Sequence, residues 1–128
     1  MHRYIFPIQE RLKSNKVLKY LFEDGKSVFR YPILMKYEAV ESKIATLELS
    51  VAFSVPKKKI RKAVHRNLLK RRMREAFRLS KYREADNHKQ TEVQYAAVFI
   101  YIADEPLPYA TIDESLQFCL KKFVAQIS

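Results

Sequence analysis

The sequence predicts an α+β fold: a small sheet of three or four strands with helices packed against it. Three observations lead there. Apolar or alternating runs at 27–39, 44–55 and 93–103 have strand character, while 14–25, 63–82 and the stretch from 111 onward have helical periodicity. The resulting order, α-β-β-α-β-α, gives one small sheet with helices packed on it, which argues α+β. A length of 128 residues is one domain's worth, and neither repeats nor low-complexity segments divide it. Residues 1–128 are therefore read as a single domain.

Each element has its own justification. In "SNKVLKYLFEDG" (14–25) Ser14 or Asn15 caps a helix whose apolar face is Val17, Leu18, Leu21 and Phe22, and Gly25 suits a left-handed stop. "SVFRYPILMKYEA" (27–39) reads as a strand, with Pro32 marking an edge or a bulge. "IATLELSVAFSV" (44–55) is a clearer strand, entered from a turn near Ser42–Lys43 and ended by Pro56. A helix follows from about Ala63 to about Tyr82, then a polar loop at 83–92. "VQYAAVFIYIA" (93–103), apolar almost throughout, has the composition of a central strand. After the loop "DEPLPY", Thr111 and Glu114 stand in capping-box spacing at the start of the last helix. Its core face is Leu116, Cys119, Leu120, Phe123 and Ile127.

Composition narrows the chemistry. A single Gly leaves no Gly-rich phosphate loop, and a single Cys leaves neither an internal disulfide nor a Cys-built metal site. Cys119 reads as a buried structural thiol, and a reducing, cytoplasmic location is expected. No run approaches the roughly 18 apolar residues of a membrane span, and the N-terminal residues lack the apolar core of a secretory signal.

Charge is the strongest signal. The chain carries a net +11, and residues 57–78, "KKKIRKAVHRNLLKRRMREAFR", hold eleven Lys or Arg against Glu75 alone. Nearly all of the excess therefore sits in one segment, which calls for a polyanion. At about 100° per residue, with Val64 at zero, Arg66, Lys70, Arg74 and Arg78 fall between about 200° and about 320°. Asn67 and Arg71 lie inside or beside that arc. Leu69, Met73 and Ala76 occupy about 120–180°, Phe77 sits on the boundary, and Val64, Leu68 and Leu79 fill about 0–60°. One face buries against the sheet, and the other carries a ridge of cations. Like charges at i,i+4 cost roughly 0.2–0.5 kcal/mol per pair, a standing cost that bound anions relieve.

The surroundings of that helix select the polyanion. A zipper's basic region would continue into heptads, but "LSKYREADNHKQTE" has none. A helix-turn-helix reader sits in an all-helical setting, and a membrane-surface helix needs its apolar face free for lipid. RNA, gripped by shape and backbone through Arg and Lys, fits best; neither DNA nor membrane is expected as a partner.

The residues then become more specific. "LSVAFSVPKKKIRKAVHRNLLKRRMREAFR" resembles the signature of the bacterial ribonuclease P protein subunit: a strand ending in Ser-Val, then Lys-Lys, Ala-Val, Arg-Asn-Arg, Lys-Arg and Arg-Glu-Ala-Phe-Arg. The likeness extends weakly through "LFEDGKSV", strand 93–103 and the last helix. It implies a fold like domain 2 of ribosomal protein S5, with an unusual left-handed β-α-β crossover. It also implies that the partner RNA performs the chemistry, with Mg²⁺ held mainly through that RNA, and that no protein residue is catalytic. The protein would bind ribonuclease P RNA, one protein per RNA, and the 5′ leader of precursor tRNA. RNA contact is carried over to Arg66, Asn67, Lys70, Arg71 and Arg74, joined by Arg78 and by Lys57, Lys58, Lys59, Arg61 and Lys62. A leader-binding cleft between this helix, the first helix and the sheet would take Phe22 as stacking ring, with Lys36 and Tyr37 nearby.

One departure stands out: the family's Arg-Asn-Arg is Arg66-Asn67-Leu68 here, and Arg72 stands where the family has an apolar residue. The two positions are one turn apart, so Arg72 is expected to replace part of the missing arginine. Two other readings compete. A self-contained nuclease would need converging carboxylates, yet Asp104-Glu105 and Asp113-Glu114 are the sole acidic pairs after the basic helix, capping accounts for the second, and His2, His65 and His88 lack ligand spacing. A non-catalytic ribosomal or other structured-RNA-binding protein is the alternative that composition leaves open.

Overall fold

The computed structural model describes residue 23 and residues 25–41, 49–80 and 93–127, and within these Pro32 splits the first predicted strand in two. β1 (Lys26–Arg30) and β2 (Ile33–Glu41) pair antiparallel, with Arg30 opposite Ile33. Tyr31 and Pro32 are thus a two-residue hairpin turn, joined by a cis peptide bond. The apolar run reads through the turn because both arms are rich in strand formers, and Pro32 is the sole punctuation. Of the predicted helix at 14–25, Glu23 and Gly25 are described, and Gly25 does not take the positive φ expected of it. The remainder of that helix and the 83–92 loop lie outside the described residues.

Sheet order is β1-β2-β4-β3, with β3 at Leu49–Ser54 and β4 at Val93–Tyr101. β4 is the central strand that its composition predicts, antiparallel to β2 and parallel to β3. Parallel neighbours need a crossover, and α1 (Ala63–Arg78) supplies it. α2 (Tyr109–Ile127) follows β4. It starts two residues before the predicted cap: Pro108 accepts the amide protons of Thr111 and Ile112 at 3.1 and 3.2 Å, so Thr111 is inside the first turn. Asp113 and Glu114 therefore are not capping residues. Asp113 accepts from Gln117 Nε2 at 3.0 Å, and Glu114 faces Arg30 at 3.8 Å.

Both helices pack on the same side of the sheet. Val28, Met35, Tyr37, Val51, Phe99 and Tyr101 line that inner face. Leu34, Ala52, Ala96, Val98 and Ile100 belong to the other, outer face. α1 docks through Leu69, Met73, Ala76 and Phe77. Phe77 stands 6.2 Å from both Phe53 and Phe99, which stack on each other at 5.6 Å. Val64 and Leu79 do not join this face; they are 69% and 62% exposed. The apolar stripe at about 0–60° turns away from the sheet because α1 can bury one arc about 100° wide, and the bulkier residues at 69, 73 and 77 occupy it.

α2 docks through a second aromatic cluster, with the Phe123 ring edge-on to Tyr37 at 4.8 Å and to Tyr95 at 5.4 Å. Leu116, Cys119, Leu120 and Phe123 are buried as the periodicity predicts, joined by Ile112 and Ser115. The Ser115 hydroxyl donates to the Arg30 carbonyl. Gln117 clamps the helices together: its Nε2 donates to the Ala76 carbonyl at 2.9 Å, and its Oε1 accepts from Ser80 at 2.5 Å.

Burial pushes the Cys119 thiol from its ordinary 9.0, and the Tyr101 phenol from 10.0, up to about 12. Both are neutral when protonated, so the folded chain holds these protons more tightly than the unfolded one. Their stabilising effect is complete below pH 9 and is lost as pH rises from 9 toward 12. The urea midpoint is expected to fall across that window, and Cys119→Ala to flatten the fall while lowering the midpoint at neutral pH.

Candidate nucleic-acid interface

The interface begins where β3 ends. Lys59 and Ile60 donate their amide protons to the Pro56 carbonyl, each at 3.1 Å, closing a turn over Lys57–Lys59. Ile60 is buried and anchors this turn in the core, while Lys57, Lys58, Lys59, Arg61 and Lys62 stay exposed. Lys62 is the N-cap of α1; its extended backbone carries no side-chain cap, and the first helical turn holds no acidic residue. Five cations thus stand beside the positive end of a helix dipole, and no described carboxylate pairs with them.

Arg66 organises this turn. It is half-buried, and its Nη1 donates to the Ile60 and Arg61 carbonyls at 3.1 and 2.7 Å. Along α1 the ridge continues through Lys70, half-buried, and Asn67, Arg71 and Arg74, all exposed. Among the described residues no ion pair engages a cation between Lys57 and Arg74. Arg78 differs. Its Nε and Nη2 grip the two Glu75 carboxylate oxygens at 3.1 and 2.6 Å, which holds that carboxyl below its ordinary range and raises the guanidinium. Positive potential is therefore concentrated toward the N-terminal part of the ridge.

Arg72 lies off the ridge. It is half-buried, and its Nη1 donates to the Leu107 carbonyl at 2.7 Å. The Leu107 amide in turn donates to the Tyr101 hydroxyl at 3.0 Å, and that hydroxyl donates to the Glu105 carbonyl at 2.7 Å. Arg72 thus ties α1 to the segment leading into α2, a role its position in the sequence did not reveal. Four of its five guanidinium donors remain for other partners.

Two of the predicted cleft residues, Lys36 and Tyr37, do not share a face. Lys36 and Tyr37 are consecutive on β2, so their side chains leave opposite faces of the sheet. Tyr37 points inward; it is 3% exposed, stacked edge-on against Phe123, and donates its hydroxyl to Gln126. Its ring is a core element and has no open face for a base. Burial also raises its phenol above the ordinary value. Lys36, half-buried, lies on the outer face with Leu34. Phe22 lies outside the described residues.

An α+β scaffold that buries one arc of a helix and projects a long cation surface from its other side has the electrostatic footprint of the polyanion-binding class. The ribonuclease P family profile matches residues 6–124. Two proteins from strains of Porphyromonas gingivalis, each named ribonuclease P protein component, are 30% identical over 118 and 119 residues, covering 92% of this chain and 85% of theirs. The RNase P protein from Thermotoga maritima shares 25% identity at a TM-score of 0.57, over 88% of this chain and 96% of that one. The Staphylococcus aureus RNase P protein has the same fold, with 23% identity, a TM-score of 0.58 and coverage of 86% and 91%. The chain belongs to the ribonuclease P protein family. It is accordingly a protein component of an endoribonuclease that processes tRNA 5′ ends, and has an RNA partner.

The hydrogen bonds separate structural from solvent-facing cations. Arg66→Ala and Arg72→Leu each free backbone carbonyls and are expected to lower stability by about 1–3 kcal/mol, whereas Arg74→Ala is expected to stay within about 0.5 kcal/mol of wild type. Urea unfolding of the three variants measures the difference.

Proposed function

We propose that α1 and the Lys57–Lys62 turn bind ribonuclease P RNA, and that the protein also holds the 5′ leader of precursor tRNA while the RNA cleaves it. One observation carries the reading: in a member of this family, eleven cations lie in one segment, and those from Lys57 to Arg74 are without a described acidic partner. Cations held apart on a rigid turn and helix match the spaced charges of a folded phosphate backbone. Each phosphate they neutralise releases counterions, which drives association and makes it salt-dependent.

The described residues bring no three His, Cys, Asp or Glu side chains together as a metal site. In the proposed reaction the protein binds, orients and neutralises. Mg²⁺, bound mainly through the RNA, would supply the activated water and stabilise the leaving oxygen. Cations from the protein offset phosphate repulsion that Mg²⁺ would otherwise have to screen, so the protein matters most when Mg²⁺ is scarce. Arg72 adds to this surface, beside the gap left by Leu68, through donors not used on Leu107.

Mixing the protein with a bacterial ribonuclease P RNA and precursor tRNA at low Mg²⁺ tests the reading. Mature 5′ ends are expected with both components and none with the protein alone; tight binding to ribosomal RNA without stimulated cleavage would overturn it. In salt titrations of binding, Arg74→Ala is expected to reduce the slope by about 0.7–0.9, and Arg66→Ala by more, because it also releases the Lys57–Lys62 turn.

A further inference from the structure

Lys26 and Arg30 on β1 and Lys121 and Lys122 on α2 are exposed cations that the basic helix does not account for. β1 is one edge of the sheet and α2 lies over it, whereas α1 lies toward the other edge, over β3. The seam between β1 and α2 has a fixed register. Ser115 donates its hydroxyl to the Arg30 carbonyl, and Cys119, one helical turn on, its thiol to the Val28 carbonyl at 3.9 Å. Two strand residues advance roughly 6–7 Å, close to one helical turn, so Lys26 falls beside the next turn, at Lys122–Phe123. Lys26 and Arg30 share the parity of inward-facing Val28, so both leave β1 on the side of α2. There the half-buried Phe118 ring gathers charge: the Arg30 guanidinium lies 5.0 Å from its centroid and the Lys122 ammonium 5.8 Å. An aromatic face attracts cations and so holds two like charges near one another. Glu114, itself 73% exposed, offsets Arg30 in part at 3.8 Å. Among the described residues no carboxylate pairs with Lys26, Lys121 or Lys122.

We infer that the β1–α2 seam is a second polyanion surface, on which Lys26, Arg30 and Lys122 meet the phosphate backbone of a second segment of the partner RNA. The assignment rests on the function proposed above. Charge complementarity selects a polyanion, and distance selects a second segment. β1 and β3 are three strand spacings apart, about 14 Å, beyond the Debye length of about 8 Å at physiological salt. One phosphate cannot serve both the seam and the ridge. An RNA already held on α1 presents its other segments to the seam at the high effective concentration of a tethered ligand, which a separate anion lacks. The chain then bridges two parts of one RNA, and α2 is the spacer between them.

The one cysteine, Cys119, is buried, so a cysteine placed on the surface alone carries an iron–EDTA tether. Ala125→Cys puts the tether on the exposed side of α2, one turn beyond Lys121, and Val64→Cys puts it on α1. In the complex with ribonuclease P RNA, hydroxyl radicals from the two tethers are expected to cut separate sets of nucleotides. Lys26→Ala combined with Lys122→Ala is expected to lower the salt slope of binding to that RNA by about 1.4–1.8, two contacts at about 0.7–0.9 each. The pair should also remove the cuts from the Ala125→Cys tether while keeping those from Val64→Cys, and leave the urea midpoint unchanged. Lys26→Arg with Lys122→Arg should behave as wild type. An unchanged slope, or an Ala125→Cys tether that cuts nothing in a complex the Val64→Cys tether does cut, overturns the proposal, even where the double variant binds precursor tRNA less well. If wild-type protein does not bind ribonuclease P RNA at all, the function proposed above falls instead.

Discussion

Mutual repulsion among the cations of residues 57–78 is the constraint to which the rest of the fold answers. Left as an isolated helix, "AVHRNLLKRRMREAFR" would be opposed by like charges one turn apart, at roughly 0.2–0.5 kcal/mol per pair. Burial outweighs this. Leu69, Met73 and Phe77 are each worth about 1.5–3 kcal/mol when removed from water, and all three are buried against the sheet. The helix is therefore held by its inner arc, which leaves the outer one free to carry a charge density that local energetics alone would disfavour.

Held in place, the helix still has to be aimed, and three polar devices do this. Gln117 spans the two helices at the C-terminal end of α1, bonding to Ala76, Ser80 and Asp113. Midway, the chain Arg72–Leu107–Tyr101 pins α1 to the lead-in of α2. At the N-terminal end Arg66 gathers the basic turn under the first helical turn. Each bond contributes about 1 kcal/mol net, small beside the buried rings, but together they fix where the cations stand. Two arginines thus have structural work in addition to their charge. A count of positive residues overstates how many are free for phosphate.

The sheet separates two surfaces. Its inner face is closed by the Phe53–Phe77–Phe99 and Tyr37–Tyr95–Phe123 clusters, which seat α1 and α2 side by side. The outer face carries Leu34, Lys36 and, through the hairpin, Phe29.

Much of this was legible in the chain itself. The amphipathic arc of α1, the central position of β4 and the buried face of α2 follow from periodicity, since 3.6- and 2-residue repeats record which side meets the core. The concentration of charge at 57–78 and the family signature likewise need no coordinates. What the sequence could not decide depends on contacts between distant residues. Reading through Pro32 hid the hairpin, and with it the face on which Phe29 lies, because a turn reverses the pairing that alternation assumes. Tyr37 looked like a candidate ligand contact until Phe123, far along the chain, covered its ring. Arg66 and Arg72 looked like plain cations until the carbonyls of Ile60, Arg61 and Leu107 came within hydrogen-bond distance. Periodicity is local and survives in the sequence; the partner of a buried ring or a guanidinium is set by the tertiary fold, and only there does it become visible.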